Sequence, residues 1–221
     1  MTKLDVLILS VYFQWFVSLA VILSCGLNYY KRPRYVKVLF FYGITSFIFS
    51  TLTHYVISRD NYLINAYVFL ETLILSSLYY QVGNSVLFRR MIIVGVISYV
   101  IFYSSAYLYF PTYVFSAIRV GRDLLLILFS VSYFIYLLYQ LPEEDLLKFP
   151  MFWINTAVIC FFSGIFVLSY FRDYIVLVLK DDTAGFWAFR NFYGTAYWLV
   201  LAYAGWLNLQ SIRAQKSDLS H

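Results

Sequence analysis

Seven stretches of this chain are long and apolar enough to be read as bilayer spans, and no other pattern in the sequence constrains its fold as strongly. A helix needs about 20 mainly apolar residues to cross the hydrocarbon core. The stretches are Asp5–Tyr30, Tyr35–Ile57, Asn61–Gln81, Phe88–Phe110, Tyr113–Gln140, Pro150–Phe171 and Phe186–Gln210. Polar residues separate them at Lys31-Arg32-Pro33-Arg34, Ser58-Arg59-Asp60, Gln81-Val82-Gly83-Asn84, Pro111-Thr112, Pro142-Glu143-Glu144-Asp145 and Lys180-Asp181-Asp182. Pro33, Pro111, Pro142 and Pro150 all fall at helix ends, where a missing N–H is tolerated. Composition agrees. The chain is 62% hydrophobic and only 12% charged, whereas a soluble domain carries about 25% charge. So little charge cannot cover a water-facing surface, which excludes a soluble fold. Disorder requires low hydrophobicity and is excluded too. The expectation is an all-α, polytopic membrane protein: one transmembrane domain built as a seven-helix bundle. Only Lys3 precedes the first stretch as a basic residue, and no small-residue cleavage site follows it, so it reads as a retained helix.

Orientation follows from the distribution of Lys and Arg. One side gathers Lys31, Arg32, Arg34, Lys37, Arg89, Arg90, Lys148, Arg213 and Lys216. The other gathers Lys3, Arg59, Arg172 and Lys180, with Arg119, Arg122 and Arg190 near helix ends on that poorer side. The richer side is expected to be cytoplasmic, which puts the N-terminus outside and the C-terminus inside. The net charge of +5 is read as this loop asymmetry and not as a nucleic-acid footprint. Loops are short, so function is expected to reside in the helices, the bilayer or a partner.

An internal duplication is conceivable. Phe41-Tyr42-Gly43-Ile44-Thr45 opens the second span and Phe152-Trp153-Ile154-Asn155-Thr156 the sixth. Each span ends in an Arg-Asp pair, Arg59-Asp60 and Arg172-Asp173. The two spans run in the same direction, as a 3+1+3 pseudo-repeat requires. Chance in an aromatic-rich chain is the favoured explanation of the match. The Pro-Gln motif of small transporters built on that plan is absent.

An ionisable residue deep in a span marks a functional site by default. Glu71 lies about 15 Å from either end of its stretch, at the expected midplane. It reads as the only charge at that depth, on a helix face shared with Ile64, Tyr67 and Leu78. It cannot face lipid, so it is expected to be neutral, bonded by tyrosine or serine hydroxyls, or open to a wet cavity. Counting about 20 residues back from Gln140 puts the outer boundary of the fifth span near Gly121. Arg119, Arg122 and Asp123 are therefore placed at the external interface. Arg190 and His54 are placed at the same membrane face. An external polar vestibule of His54, Arg119, Arg122, Asp123 and Arg190, opening toward Glu71 and Tyr67, is the candidate ligand site. It would suit a small anionic or zwitterionic ligand. A ring of interfacial charges reaching to headgroups is the plainer alternative.

Other residues have structural readings. Asn28, Asn65, Asn155, Asn208 and Gln14 are expected to bond between helices. Tyr29, Tyr30, Tyr35, Tyr79, Tyr80, Tyr107, Tyr109, Tyr113, Tyr170, Tyr174 and Trp187 fit an interfacial aromatic belt. Tyr99, Tyr133, Tyr197 and Trp198 fall nearer mid-span, where they bond or line a cavity. Ser163-Gly164 and Ala204-Gly205 permit close helix approach. Cys25 and Cys160 read as apolar packing residues.

Catalytic and cofactor signatures are missing. With His54 and His221 the only histidines, neither a zinc-hydrolase set nor a bis-histidine haem can form. No lysine lies deep in a span to hold retinal, and there is neither a G-x-S-x-G elbow nor a glycine-rich phosphate loop. No enzyme activity, cofactor or metal is expected.

The run Phe149-Pro150-Met151-Phe152-Trp153-Ile154-Asn155, followed by Phe162-Ser163-Gly164, resembles a pattern in uncharacterised seven-helix bacterial inner-membrane proteins. The resemblance covers one span in seven. It implies a small receptor-like or accessory protein of the bacterial inner membrane, often associated with two-component signalling. It marks Trp153, Asn155, Ser163 and Gly164 without giving them roles. The first expectation is thus a sensor of a small ligand or of membrane state, acting with a membrane protein partner or a second copy of itself. A small-solute transporter with Glu71 as its proton-coupling carboxyl, or a purely structural subunit, are the alternatives.

Overall fold

The computed structural model of the chain describes residues 3–55, 61–109, 114–140, 146–171 and 183–218. Among the described residues every regular element is helical and no strand occurs. The α-helices are α1 (Lys3–Gly26), α2 (Arg34–Tyr55), α3 (Asn61–Val82), α4 (Val86–Tyr109), α5 (Val114–Gln140), α6 (Pro150–Tyr170) and α7 (Thr183–Asp218). Single 3₁₀ turns at Tyr29–Lys31 and Leu146–Lys148 lead into α2 and α6.

Local chemistry sets the helix ends. After α1 stops at Gly26, Asn28 turns the chain in a left-handed conformation, with φ of 58°. Asparagine tolerates that region better than most side chains. Pro150 opens α6, where its missing N–H has no carbonyl to serve. The Gly83 N–H closes α3 on the Tyr79 carbonyl at 3.0 Å.

Helices α1 to α6 are each long and apolar enough to cross a membrane by length and composition, which fits an integral membrane helical bundle. Helix α7 is not among those six. It has 36 residues, about 54 Å of helix. Arg190, Asn191 and its tyrosines and tryptophans lower its hydropathy, although its middle is well buried.

Helices neighbouring in sequence pack side by side, and α7 closes back on α1 in the most extensive interface of the bundle. Helix α4 packs against α3 and α5. Its Leu87, Val94, Ile101 and Leu108 point outward. Many polar side chains point inward: Ser10, Asn65, Thr72, Ser76, Ser130, Asn155 and Asn208 are all buried. Large apolar groups on the outside and hydroxyls and amides on the inside are what hydrocarbon surroundings favour, because buried polar groups must bond to one another.

Glycine makes the α1–α7 contact close. A Cβ on Gly205 would lie 2.6 Å from Ser24 Oγ and 2.8 Å from Cys25 Sγ. Gly164 does the same for α6 against α7, where a Cβ would meet the Tyr193 ring at 2.6 Å. Both small-residue steps expected from sequence are therefore approach points. The α1–α7 pair is also clasped by Arg32, which the sequence reading assigned to a cytoplasmic loop. It stands in the connection between α1 and α2, with its guanidinium buried. It donates to the Ser24 and Leu27 carbonyls at the end of α1, to the Gly205 carbonyl at 3.2 Å and to Asn208 Oδ1 at 2.7 Å. A cation there serves the orphan carbonyls of a helix C-terminus.

The two segments of the duplication occupy different surroundings. Tyr42 is buried in the centre of the bundle, whereas Trp153 is only partly buried, its indole donating to the Leu147 carbonyl at 2.8 Å. The pairs Arg59-Asp60 and Arg172-Asp173 lie outside the described residues, as does the Pro111 boundary between the fourth and fifth spans. Tyr79, assigned by sequence to the aromatic belt, is fully buried. Its hydroxyl is satisfied inside the bundle, so it has no need of the interface.

Candidate functional site

Glu71 sits at the midpoint of α3 and is buried, as its sequence position requires. It is not the only charge at that level. Arg122 of α5 is paired with it through Nη1 and Oε2, and both side chains are shielded from solvent. Asp123, fully buried beside Arg122, accepts from its Nε at 2.8 Å and lies 2.6 Å from its Nη2. One guanidinium thus bridges two carboxyls inside the bundle.

This corrects the interfacial placement of Arg122 and Asp123. The sequence count assumed a helix of about 20 residues running straight across the bilayer. Helix α5 has 27 residues and starts at Val114, so about 12 Å of helix precedes Arg122. The bond to Glu71 holds Arg122 at the level of mid-α3. Isolated in a low-dielectric interior, each charge would be very unfavourable. Paired and hydrogen-bonded, they can persist.

Aromatic groups complete the shell. Tyr42 of α2 donates to Glu71 Oε1 at 2.7 Å, and Tyr67, one turn before Glu71, donates to the same oxygen at 3.2 Å. The Tyr67 hydroxyl also lies 3.1 Å from Ser46 Oγ. Tyr197 of α7 donates to the Tyr42 hydroxyl at 3.3 Å. The Phe162 ring of α6 stacks on the Arg122 guanidinium, 5.1 Å from its centroid, a favourable cation–π contact where water is excluded. Tyr42 stacks on Trp198 at 5.0 Å between ring centroids.

Of the expected vestibule, the structure gathers Glu71, Tyr67, Arg122 and Asp123. Arg119 is also buried, one turn before Asp123 on α5. Arg190 lies over the Trp187 ring of its own helix, 5.8 Å from the centroid. The His54 side chain lies outside the described residues. The residues that sequence reasoning missed are Tyr42, Ser46 and Phe162. Each lies in an apolar or aromatic run with no local sign of contact to a charge. Tyr197 was marked only by its mid-span depth.

A second polar node lies beside the first. Asn155 of α6 receives Tyr79 and Ser130 hydroxyls on Oδ1, each at 2.7 Å, and donates Nδ2 to the Ser130 carbonyl at 3.1 Å. It joins α3, α5 and α6 through the amide oxygen and one N–H, which is a structural assignment. Among the described residues, no three His, Cys, Asp or Glu side chains cluster as a metal site.

Fold and centre together define a class: an all-helical bundle with six membrane-length apolar helices around a buried arginine–dicarboxylate cluster. Comparison with protein-family models, curated proteins and solved structures finds no match.

Proposed function

We propose that the chain is a membrane sensor or accessory subunit of a bacterial inner membrane. In this reading it responds to a small anionic or zwitterionic ligand, or to the state of the bilayer. It passes that response to a membrane protein partner or a second copy of itself. All seven helices cross the membrane, with the N-terminus outside and the C-terminus cytoplasmic. The packing of α7 between α1 and α6 supports the seventh crossing, since both neighbours are of membrane length. The Lys and Arg asymmetry supports the orientation. The resemblance of the sixth span to receptor-like inner-membrane proteins supports the role.

The observation that carries the reading is the reach of the Arg122 centre. Glu71, Arg122, Asp123, Tyr42 and Tyr197 tie α2, α3, α5 and α7 through one hydrogen-bonded unit. An anion that competes for Arg122 exchanges one set of bonds for another and biases four helices together. A ligand acts only through such a difference in interaction between two arrangements. The test is to purify the protein with its partner and measure partner output for the wild type, Glu71→Gln and Arg122→Gln. Altered output in both variants is expected. Unchanged output and stability in both would leave a purely structural subunit.

The hydroxyl chain from Tyr197 through Tyr42 to Glu71 favours a second reading, a proton-coupled small-solute transporter with Glu71 as the coupling carboxyl. It requires uptake into liposomes that Glu71→Gln abolishes. Absence of uptake across a panel of small anionic and zwitterionic solutes would remove it.

A further inference from the structure

The corner where α1 passes into α2 carries positive charge that the chain does not balance. Lys31 and Arg34 are exposed there and Lys37 is half-buried. None of the three forms an ion pair among the described residues, and the sequence has no acid between Asp5 and Asp60. Behind them stands buried Arg32, with Arg213 of α7 close enough to repel it. An anion at this corner relieves that repulsion. Apolar surface continues from the cations. Arg34, Lys37 and Phe41 recur at helical spacing on one face of α2, and Ile48 extends that face about 21 Å from Arg34. Phe41 and Ile48 are exposed, as are Leu23 near the end of α1 and Leu27 just past it. Tyr29 joins the charged and apolar parts. Its ring lies under the Lys37 ammonium, 5.3 Å from the centroid, and meets the Phe41 ring edge-on at 6.4 Å. Both α1 and α2 are of membrane length, so the surface passes from cations at the bilayer interface to exposed side chains in the hydrocarbon. A phospholipid has the same profile, a phosphate at the interface with acyl chains beneath it.

We propose that the α1–α2 corner is a binding site for an anionic phospholipid, its phosphate held by Lys31, Arg34 and Lys37 and its acyl chains lying along Leu27, Phe41 and Ile48. Charge selects the headgroup. A zwitterionic lipid brings its own ammonium to a corner already rich in cations, whereas an anionic one brings a net negative charge. The apolar face selects a lipid over a free phosphate, since a soluble anion leaves Phe41 and Ile48 uncovered. The inference needs only that α1 and α2 span a bilayer, and stands apart from whether the protein signals or transports.

Native mass spectrometry of the full chain in neutral detergent tests it, by titration with phosphatidylglycerol or phosphatidylcholine of matched acyl chains. The wild type should hold one phosphatidylglycerol more tightly than phosphatidylcholine, by about 30-fold or more. Arg34→Gln/Lys37→Gln should lose about 30-fold in phosphatidylglycerol affinity, since each cation near a lipid surface is worth roughly fivefold. The charge-matched control Arg90→Gln/Lys148→Gln removes exposed cations on α4 and before α6, and should keep the wild-type preference. Glycerol phosphate, the headgroup chemistry without acyl chains, should not displace the bound lipid. Equal affinity of the wild type for the two lipids overturns the proposal. Equal losses in the two double variants overturn it in favour of a diffuse basic surface, and displacement by glycerol phosphate in favour of a soluble-phosphate site. The wild-type comparison decides the matter even where a variant does not fold.

Discussion

At the residue scale, the energetics of the bundle centre depend on Arg122 having both its acids. Removing one member of a buried ion pair leaves an uncompensated charge and costs about 3–5 kcal/mol. Arg122→Gln should therefore lower the unfolding free energy in detergent by that order. The double variant Glu71→Gln/Arg122→Gln should be more stable than Arg122→Gln alone, because the orphaned carboxylate is gone. Additive losses in that cycle would show that the two side chains do not interact. Arg32 is the second buried guanidinium, and its partners are carbonyls and Asn208. Hydrogen bonds to charged groups are worth about 1.5–3 kcal/mol, so Arg32→Ala should destabilise by about that much. Lys31→Ala, one residue away and exposed, should be near neutral in the same chemical-unfolding assay. The sequence showed Glu71 because a lone acid in the middle of an apolar stretch is visible by counting. It could not show that Arg122 reaches Glu71, since their pairing depends on how α5 starts and lies against α3.

At the element scale, α7 is the helix whose status composition leaves open and packing explains. It is long and rich in tyrosine and tryptophan, and its hydropathy falls short of that of its neighbours. Even so, Leu201 and Ala204 are fully buried and Gly205 lets α1 approach. A side chain at Gly205 must push against Ser24 and Cys25. Overpacking of this kind costs about 1–3 kcal/mol. Gly205→Leu should thus separate α1 from α7 and expose Cys25, which is buried in the wild type. Thiol labelling in mild detergent reads this directly: Cys25 should become reactive in the variant and stay protected in the wild type, with both read in a Cys160→Ser background. Unchanged protection of Cys25 would mean that α1 and α7 absorb the bulk elsewhere. The small-residue pairs Ser163-Gly164 and Ala204-Gly205 were readable from sequence because close approach needs small residues wherever it occurs. Which ring or hydroxyl fills the space, Tyr193 or Ser24, was not.

For the whole molecule, the charge asymmetry forecasts topology. A reporter that works only outside the cytoplasm should be inactive when fused after residue 216, and a cytoplasmic fluorescent reporter should be bright there. The opposite result would remove the seven-crossing arrangement and its orientation together. The bundle closes by bringing α7 onto α1, so the first and last helices depend on each other. The outer surface is left to apolar side chains such as Leu87, Val94 and Leu128.

The sequence by itself determined the helical class, the approximate bounds of the helices and the mid-helix position of Glu71. These follow from local quantities: apolar length, proline and glycine position, and rise per residue. Only the tertiary structure decided that Arg122 and Asp123 belong with Glu71, that Tyr42 and Tyr197 complete the shell, and that Arg32 is a clasp between α1 and α7. Each of those facts joins residues far apart in the chain. Whether they meet depends on the length and lie of the helices and on which faces are turned inward, and no local pattern encodes that. The physical reason is the same in every case. In an apolar surround a polar side chain must find another, and the partner it finds is set by how the helices pack.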